Sequence, residues 1–165
     1  MFGTLRRSID RLMLNDRSYD FLFDRPDMDE VVSLDCETTG FDPQVDDVIS
    51  IAAVPISGRR IRTSDAFRAI VRPRAAMHAS SIKVHQLMKK DVAGGRGIYD
   101  VLPELLRFIR NRPLIGYWIA FDVTMLNRYV QPMLDVRLPN LQIDVCDLYY
   151  DRKYGKAPPG TTLDL

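Results

Sequence analysis

The chain has 165 residues, enough for one domain with a sizeable core. It is 46% hydrophobic and 27% charged with a formal net charge of +1, which is ordinary globular composition and excludes a global polyanion-binding field. Its two cysteines, Cys36 and Cys146, form neither a CxxC pair nor a zinc-spaced cluster, the basic start MFGTLRRSID has no apolar run behind it, and the run VISIAAVPI is too short to span a bilayer, so a cytoplasmic protein with no membrane association is expected.

In chain order, Phe2, Leu5, Ile9 and Leu12 recur at helical spacing and predict an amphipathic N-terminal helix. With the acidic linker DRPDMDE it makes an extension over residues 1–30, and a second unit is expected over 31–165. The helix packs on its own domain or binds a protein partner. Val31 to Glu37 reads as the first strand, Asp47 to Ile56 as a second and Ala66 to Val71 as a third, with gaps short enough for an antiparallel meander. Ser80 to Asp91 is predicted helical, AGGRG is read as a flexible connection, and Val101, Leu105, Phe108 and Ile109 put one apolar face on a helix over 98–110. A short strand at 114–116, a helix over 121–134 and a strand over 141–146 follow. Strands first, then strands alternating with helices, predict an α/β layer fold around a mixed sheet. The end, GKAPPGTTLDL, reads as a loop with Thr161 or Thr162 as N-cap of a helix, so the chain is expected to stop where an element begins.

The chemistry concentrates in VVSLDCETTGFDP. Residues i and i+2 share a strand face, so Asp35 and Glu37 project together while Leu34 and Cys36 point the other way. Adjacent carboxylates repel unless one is protonated or a cation sits between them, and hard oxygen ligands suit Mg²⁺ or Mn²⁺ better than zinc. The plain structural alternative is two surface acids on an edge strand. The Thr38, Thr39, Gly40 run that follows offers hydroxyls, N–H groups and a sharp turn beside the acids. In LIGYWIAFDVTMLNRYV, Asp122 follows a short strand and opens a helix, where the helix dipole favours a carboxylate.

DCETTGFDP followed by IGYWIAFDVTMLNR, with SSIKVHQLMKKDV between, resembles the DEDD superfamily of 3′–5′ exonucleases, in the branch similar to the DNA polymerase III epsilon subunit. The resemblance runs from Val31 to the C-terminus. It implies a ribonuclease-H-like three-layer α/β/α fold with a mixed sheet of about five strands and helices on both faces, here without its last helix. It implies that Asp35, Glu37 and Asp122 hold two divalent ions, Mg²⁺ or Mn²⁺. It further implies that Thr38, Thr39, Gly40 and Phe121 line the 3′-terminal nucleotide, that His85 borders the substrate end, and that the substrate is the 3′ end of single-stranded DNA or RNA. The reaction implied is two-metal phosphodiester hydrolysis.

Two departures stand out. Where the family carries His and Asn before the second-motif acid, this chain has Tyr117 and Trp118, and Trp118 either packs in the core or stacks on a base. The family's third motif, a His general base and a last metal-binding Asp, has no counterpart, since the only histidines are His78 and His85. As it stands the chain is expected to be inactive or nearly so. The rival reading is a non-catalytic nucleic-acid or protein interaction module that keeps the fold. The sequence leaves the oligomeric state unread.

Overall fold

The computed structural model describes residues 2–26, 28–77 and 87–155. The predicted helix over most of 80–91, His85 within it, and the C-terminal cap at Thr161 or Thr162 lie outside the described residues.

Among the described residues six strands form one mixed sheet. The central strand β1 (Glu30–Thr38) runs antiparallel to β2 (Val48–Ser57) and parallel to β5 (Leu114–Gly116), and β5 runs parallel to β6 (Gln142–Asp144). The other edge of β2 carries two short antiparallel strands, β3 (Arg60–Ile61) and β4 (Phe67–Ile70), separated by a 3₁₀ turn at Thr63–Asp65. This is the expected meander: β4 falls within the predicted third strand over 66–71, and β3 is a short additional strand that was not predicted. β1 lies between β2 and β5, but β5 pairs with it only at Val32 and Ser33, so at Asp35 and Glu37 the strand is paired on the β2 side alone.

The two sheet faces differ in cover. On β1, Val32, Leu34 and Cys36 are buried, and so are their β2 partners Pro55, Ala53 and Ile51. The opposite face, Val31, Ser33, Asp35 and Glu37 beside Ile56, Val54, Ala52 and Ser50, is half-buried or exposed. This period-two alternation sets the register, since a one-residue slip would put the acids into the core. Helix α1 (Phe2–Met13) opens the chain, and a short helix α2 (Lys89–Ala93) precedes α3 (Ile98–Ile109) and α4 (Ile119–Leu134). Val101, Leu102, Leu105, Leu106 and Ile109 of α3, with Val123, Leu126 and Val130 of α4, follow helical spacing and share one core with Val32, Leu34 and Cys36. Helices on both faces were expected; among the described residues these two pack with the Val32–Cys36 face, and the acid-bearing face is the more open.

The N-terminal segment joins the same core through Leu14, Tyr19, Leu22 and Phe23, the last three on a 3₁₀ segment (Arg17–Phe23). Among its described side chains, helix α1 is held by polar contacts of Arg7 and Arg11. The Arg7 guanidinium donates to the carbonyls of Leu22 at 3.1 Å, Asp24 at 2.8 Å and Pro139 at 2.6 Å, and Arg11 pairs with Asp20. Ile9, Leu12 and Met13 stay exposed.

The AGGRG loop is not the flexible connection its composition suggests. Arg96 bridges to Val71 in parallel register, Arg72 N–H donates to Arg96 O, and a Cβ on Gly95 would come within 2.8 Å of Arg72 N. Glycine is there for close approach of two backbones. The last described element, helix α5 (Val145–Tyr154), begins within the strand expected over 141–146 and continues through residues for which no element was predicted. Asp144 caps it by accepting from Cys146 N–H at 2.8 Å.

Candidate active site

The site begins with a mismatch in strand length. β1 has nine residues, but β5 pairs with it only at Val32 and Ser33 and ends at Gly116. Beyond that point the β5 side of β1 has no strand partner among the described residues, and a buried N–H left unpaired there would be costly. The chain turns through Tyr117 and Trp118, Trp118 taking a left-handed conformation (φ 53°, ψ 43°) as N-cap of α4. That turn aims the first turn of α4 back at β1. The Asp122 carboxylate, 4% exposed, accepts from Cys36 N–H at 2.9 Å. Residues 86 apart in sequence thus meet, and Asp122 lies against the peptide between the two first-motif acids.

The electrostatics agree. Burial, followed by the charge of Asp35, pushes the Asp122 carboxyl up to about 7, against the hydrogen bonds from Cys36 and its own backbone. Burial pushes the Cys36 thiol well up, and the negative charges of Asp122, Asp35 and Glu37 add to it. The fields of all three carboxylates therefore overlap at Cys36. Asp35 is exposed and Glu37 half-buried. The donor chemistry, carboxylate oxygens only, fits a hard divalent cation. The positions fit less closely: no three His, Cys, Asp or Glu side chains among the described residues are grouped so as to hold an ion.

After β1 the hydroxyls expected to face a ligand are engaged within the protein. Thr38 Oγ1 donates to Gly40 O at 2.6 Å. Thr39 is fully buried, its Oγ1 donating to Asp46 Oδ1 at 2.8 Å and accepting from Asp47 N–H at 3.0 Å. A Cβ on Gly40 would sit 2.4 Å from Asp46 Oδ2, so this glycine is required by the fold of the turn itself. Phe41, next in line, is exposed.

Asp46 and Asp47 had no assigned role in the sequence, yet they organise this end of the sheet. Asp47 Oδ2 accepts from Arg74 N–H and Ala75 N–H, both at 2.7 Å, and its Oδ1 accepts from Tyr129 Oη at 2.8 Å. Burial alone would raise the Asp47 carboxyl; the bonds from Ala75, Tyr129 and Arg74 outweigh it and hold the group below the usual carboxylate range. Arg128 donates to Asp46 O. The one available signal was the turn-rich FDPQVDD placed directly before a strand.

Of the remaining predicted site residues, Trp118 is half-exposed, and its ring lies parallel to that of the exposed Tyr117, centroids 5.8 Å apart and 5° from parallel. Core packing is therefore excluded for Trp118. The Trp118 backbone N–H donates to Asp144 Oδ1 at 3.3 Å, a role for Asp144 that the sequence did not suggest. Phe121 is partly buried against the core. Of the arginines between 59 and 74, Arg62 is paired with Glu30 and Asp65.

This architecture is an α/β exonuclease fold, ribonuclease-H-like. The structure is similar to exonuclease X in complex with 5′ overhanging duplex DNA, with a TM-score of 0.60, 20% identity, and 76% of this chain and 65% of that one covered. It is similar also to Escherichia coli exonuclease I in complex with a dT13 oligonucleotide, with a TM-score of 0.61, 14% identity, and 74% and 29% covered. The chain belongs to the exonuclease family, whose model matches residues 32–165. It is 31% identical over 117 residues to the PolC-type DNA polymerase III of Thermotoga maritima, covering 71% of this chain and 8% of that protein. It is 29% identical over 122 residues to the DNA polymerase III epsilon subunit of Aquifex aeolicus, covering 74% and 58%, and 29% identical over 151 residues to the oligoribonuclease of Leifsonia xyli, covering 79% and 72%. The chain spans 10% or less of the PolC-type relatives' length. The family is metal-dependent in general.

Proposed function

We propose that this chain is a cytoplasmic 3′–5′ exonuclease domain acting on the 3′ ends of single-stranded DNA or RNA. The observation that carries this reading is the Asp122 carboxylate seated on the peptide between Asp35 and Glu37. Asp35, Glu37 and Asp122 would hold Mg²⁺ or Mn²⁺, which would supply positive charge to a reacting phosphodiester. The protein's own part is positioning. The Thr38–Gly40 turn, locked by Asp46, fixes the end of β1, and the stacked Tyr117–Trp118 pair presents an open ring face at the start of α4 to a terminal base. The exposed Ile9, Leu12 and Met13 support a protein contact through α1.

Trp118 is the only tryptophan among seven tyrosines, so emission excited at the red edge of the absorption band, where tyrosine does not absorb, reports on this platform. A single-stranded oligonucleotide is expected to quench it, with Mn²⁺ tightening the titration in the native chain and not in Asp35→Ala. An oligonucleotide that binds with no change in Trp118 emission rules out the platform. Both histidines precede α4 in sequence, so no general base is assigned. Turnover by this chain is expected to fall on the order of a hundredfold or more below that of a site with one. Cleavage at about one turnover per second or faster, the ordinary enzyme range, contradicts that account.

A second reading has its own observation. With no three ligands grouped among the described residues, Asp122 would serve as a structural cap on β1 in a non-catalytic nucleic-acid-binding module. Cation binding separates the two.

A further inference from the structure

The strongest unassigned feature lies at the other end of β1. Glu30 starts the strand and Glu37 is seven residues on, so the two regions are separated by roughly 23 Å at about 3.3 Å per residue. Two adjoining depressions, of about 500 and 280 Å³, open there and share Arg107 and Arg110. The larger is lined by four arginines and a single carboxylate, Glu30. Arg62 at 2.9 Å and Arg112 at 3.1 Å already bracket Glu30. The positive charge left over belongs to Arg107 and Arg110, both exposed.

These two guanidinium groups are held over aromatic rings, Arg107 5.7 Å from the centroid of Tyr19 and Arg110 5.9 Å from that of Phe21. Stacking orients a guanidinium while leaving its N–H fork available, the geometry that suits phosphate. Arg107 is tempered by the charges of Asp16 and Glu104, which feel it, and by a 3.4 Å contact to Pro103 O. Arg110 carries the second clue. It ends α3 with φ 51° and ψ −139°, a backbone region that glycine adopts freely and arginine does not. The Asn140 side chain, donating to Arg110 O at 2.7 Å and Arg112 O at 2.8 Å, helps hold it there. Glycine would be the less strained choice at that position.

We propose that Arg107 and Arg110 form an accessory phosphate site, remote from the carboxylates, that takes the phosphate groups of a nucleotide ligand, as part of a strand or free. It rests on the nucleic-acid reading of the chain and not on the metal site. The test therefore runs in EDTA and in an Asp35→Ala background, where failure of the carboxylate reading leaves it untouched.

The variants are Arg107→Gln and Arg110→Gly. Arg110→Gly relieves the positive φ, so its thermal midpoint is expected to match or exceed that of the native chain, which excludes misfolding as a cause. For a labelled oligodeoxythymidylate, the slope of log K against log salt concentration is expected to become shallower by about 0.7 for each phosphate contact removed. A deoxynucleoside diphosphate titrated in parallel separates the sources. A strand whose slope changes while the nucleotide shows no binding assigns the site to a strand. A nucleotide that binds the native chain and not the variants assigns it to a free ligand. Strand and nucleotide behaviour both unchanged in folded variants overturns the proposal.

Discussion

Asp122 is where the competing effects can be weighed most directly. Its carboxyl is raised from 3.8 to about 7, chiefly by burial and then by Asp35. Between those values the folded chain holds a proton that the unfolded chain has released. Stability is therefore full below about 3.8 and is lost as pH rises towards 7. At roughly 1.4 kcal/mol per unit, the loss is a few kcal/mol. Asp122→Asn stays neutral and can still accept from Cys36 N–H. Urea melts across this range without metal are expected to show a falling stability for the native chain, a flat one for the variant, and the variant the more stable above neutral pH. Parallel slopes for the two proteins contradict the assignment. That Asp35 and Glu37 need an explanation was legible in the sequence, because they are carboxylates two apart in an apolar run. The lock made by Thr39, Asp46 and Asp47 was not, because a hydroxyl beside an acidic motif reads equally well as ligand-facing or as turn-forming. Only the contact with Asp46 decides it.

At the scale of elements, legibility followed burial. β1, β5, α3 and α4 fell within about two residues of their observed ends, since each buries a face whose spacing is visible. Helix α5 was missed for the converse reason. None of its ten residues is buried, and its apolar side chains Val145, Leu148, Tyr149 and Tyr154 are all exposed, so it has no core-facing stripe to recognise. Its N-cap, Asp144, reads as the end of a strand because it is that too. A helix tied to the domain by its cap and little burial should open locally. Amide exchange in α5 is expected to be much faster than in α3 and α4 under native conditions, by mass spectrometry or NMR. Protection in α5 equal to that of α3 would mean that α5 packs far more tightly than the structure shows.

For the whole molecule, the uneven sheet is the organising fact. One face is filled by α3, α4 and the N-terminal 3₁₀ segment, while the other presents Asp35 and Glu37. The short β5 leaves room for Asp122 to reach the same peptide. The fold class was legible from the order of strands and helices, and family membership is shown by the match over 32–165. How closely the three carboxylates approach one another was not legible, since Asp122 meets β1 only through the turn after β5. Calorimetric titration of the 165-residue chain with Mn²⁺ at neutral pH tests this most directly. Binding is expected in the native chain and should vanish in Asp35→Ala, with both proteins keeping the same thermal midpoint in EDTA. A native chain that takes up no Mn²⁺, or an Asp35→Ala chain that binds it equally well, would contradict a shared cation site at Asp35, Glu37 and Asp122.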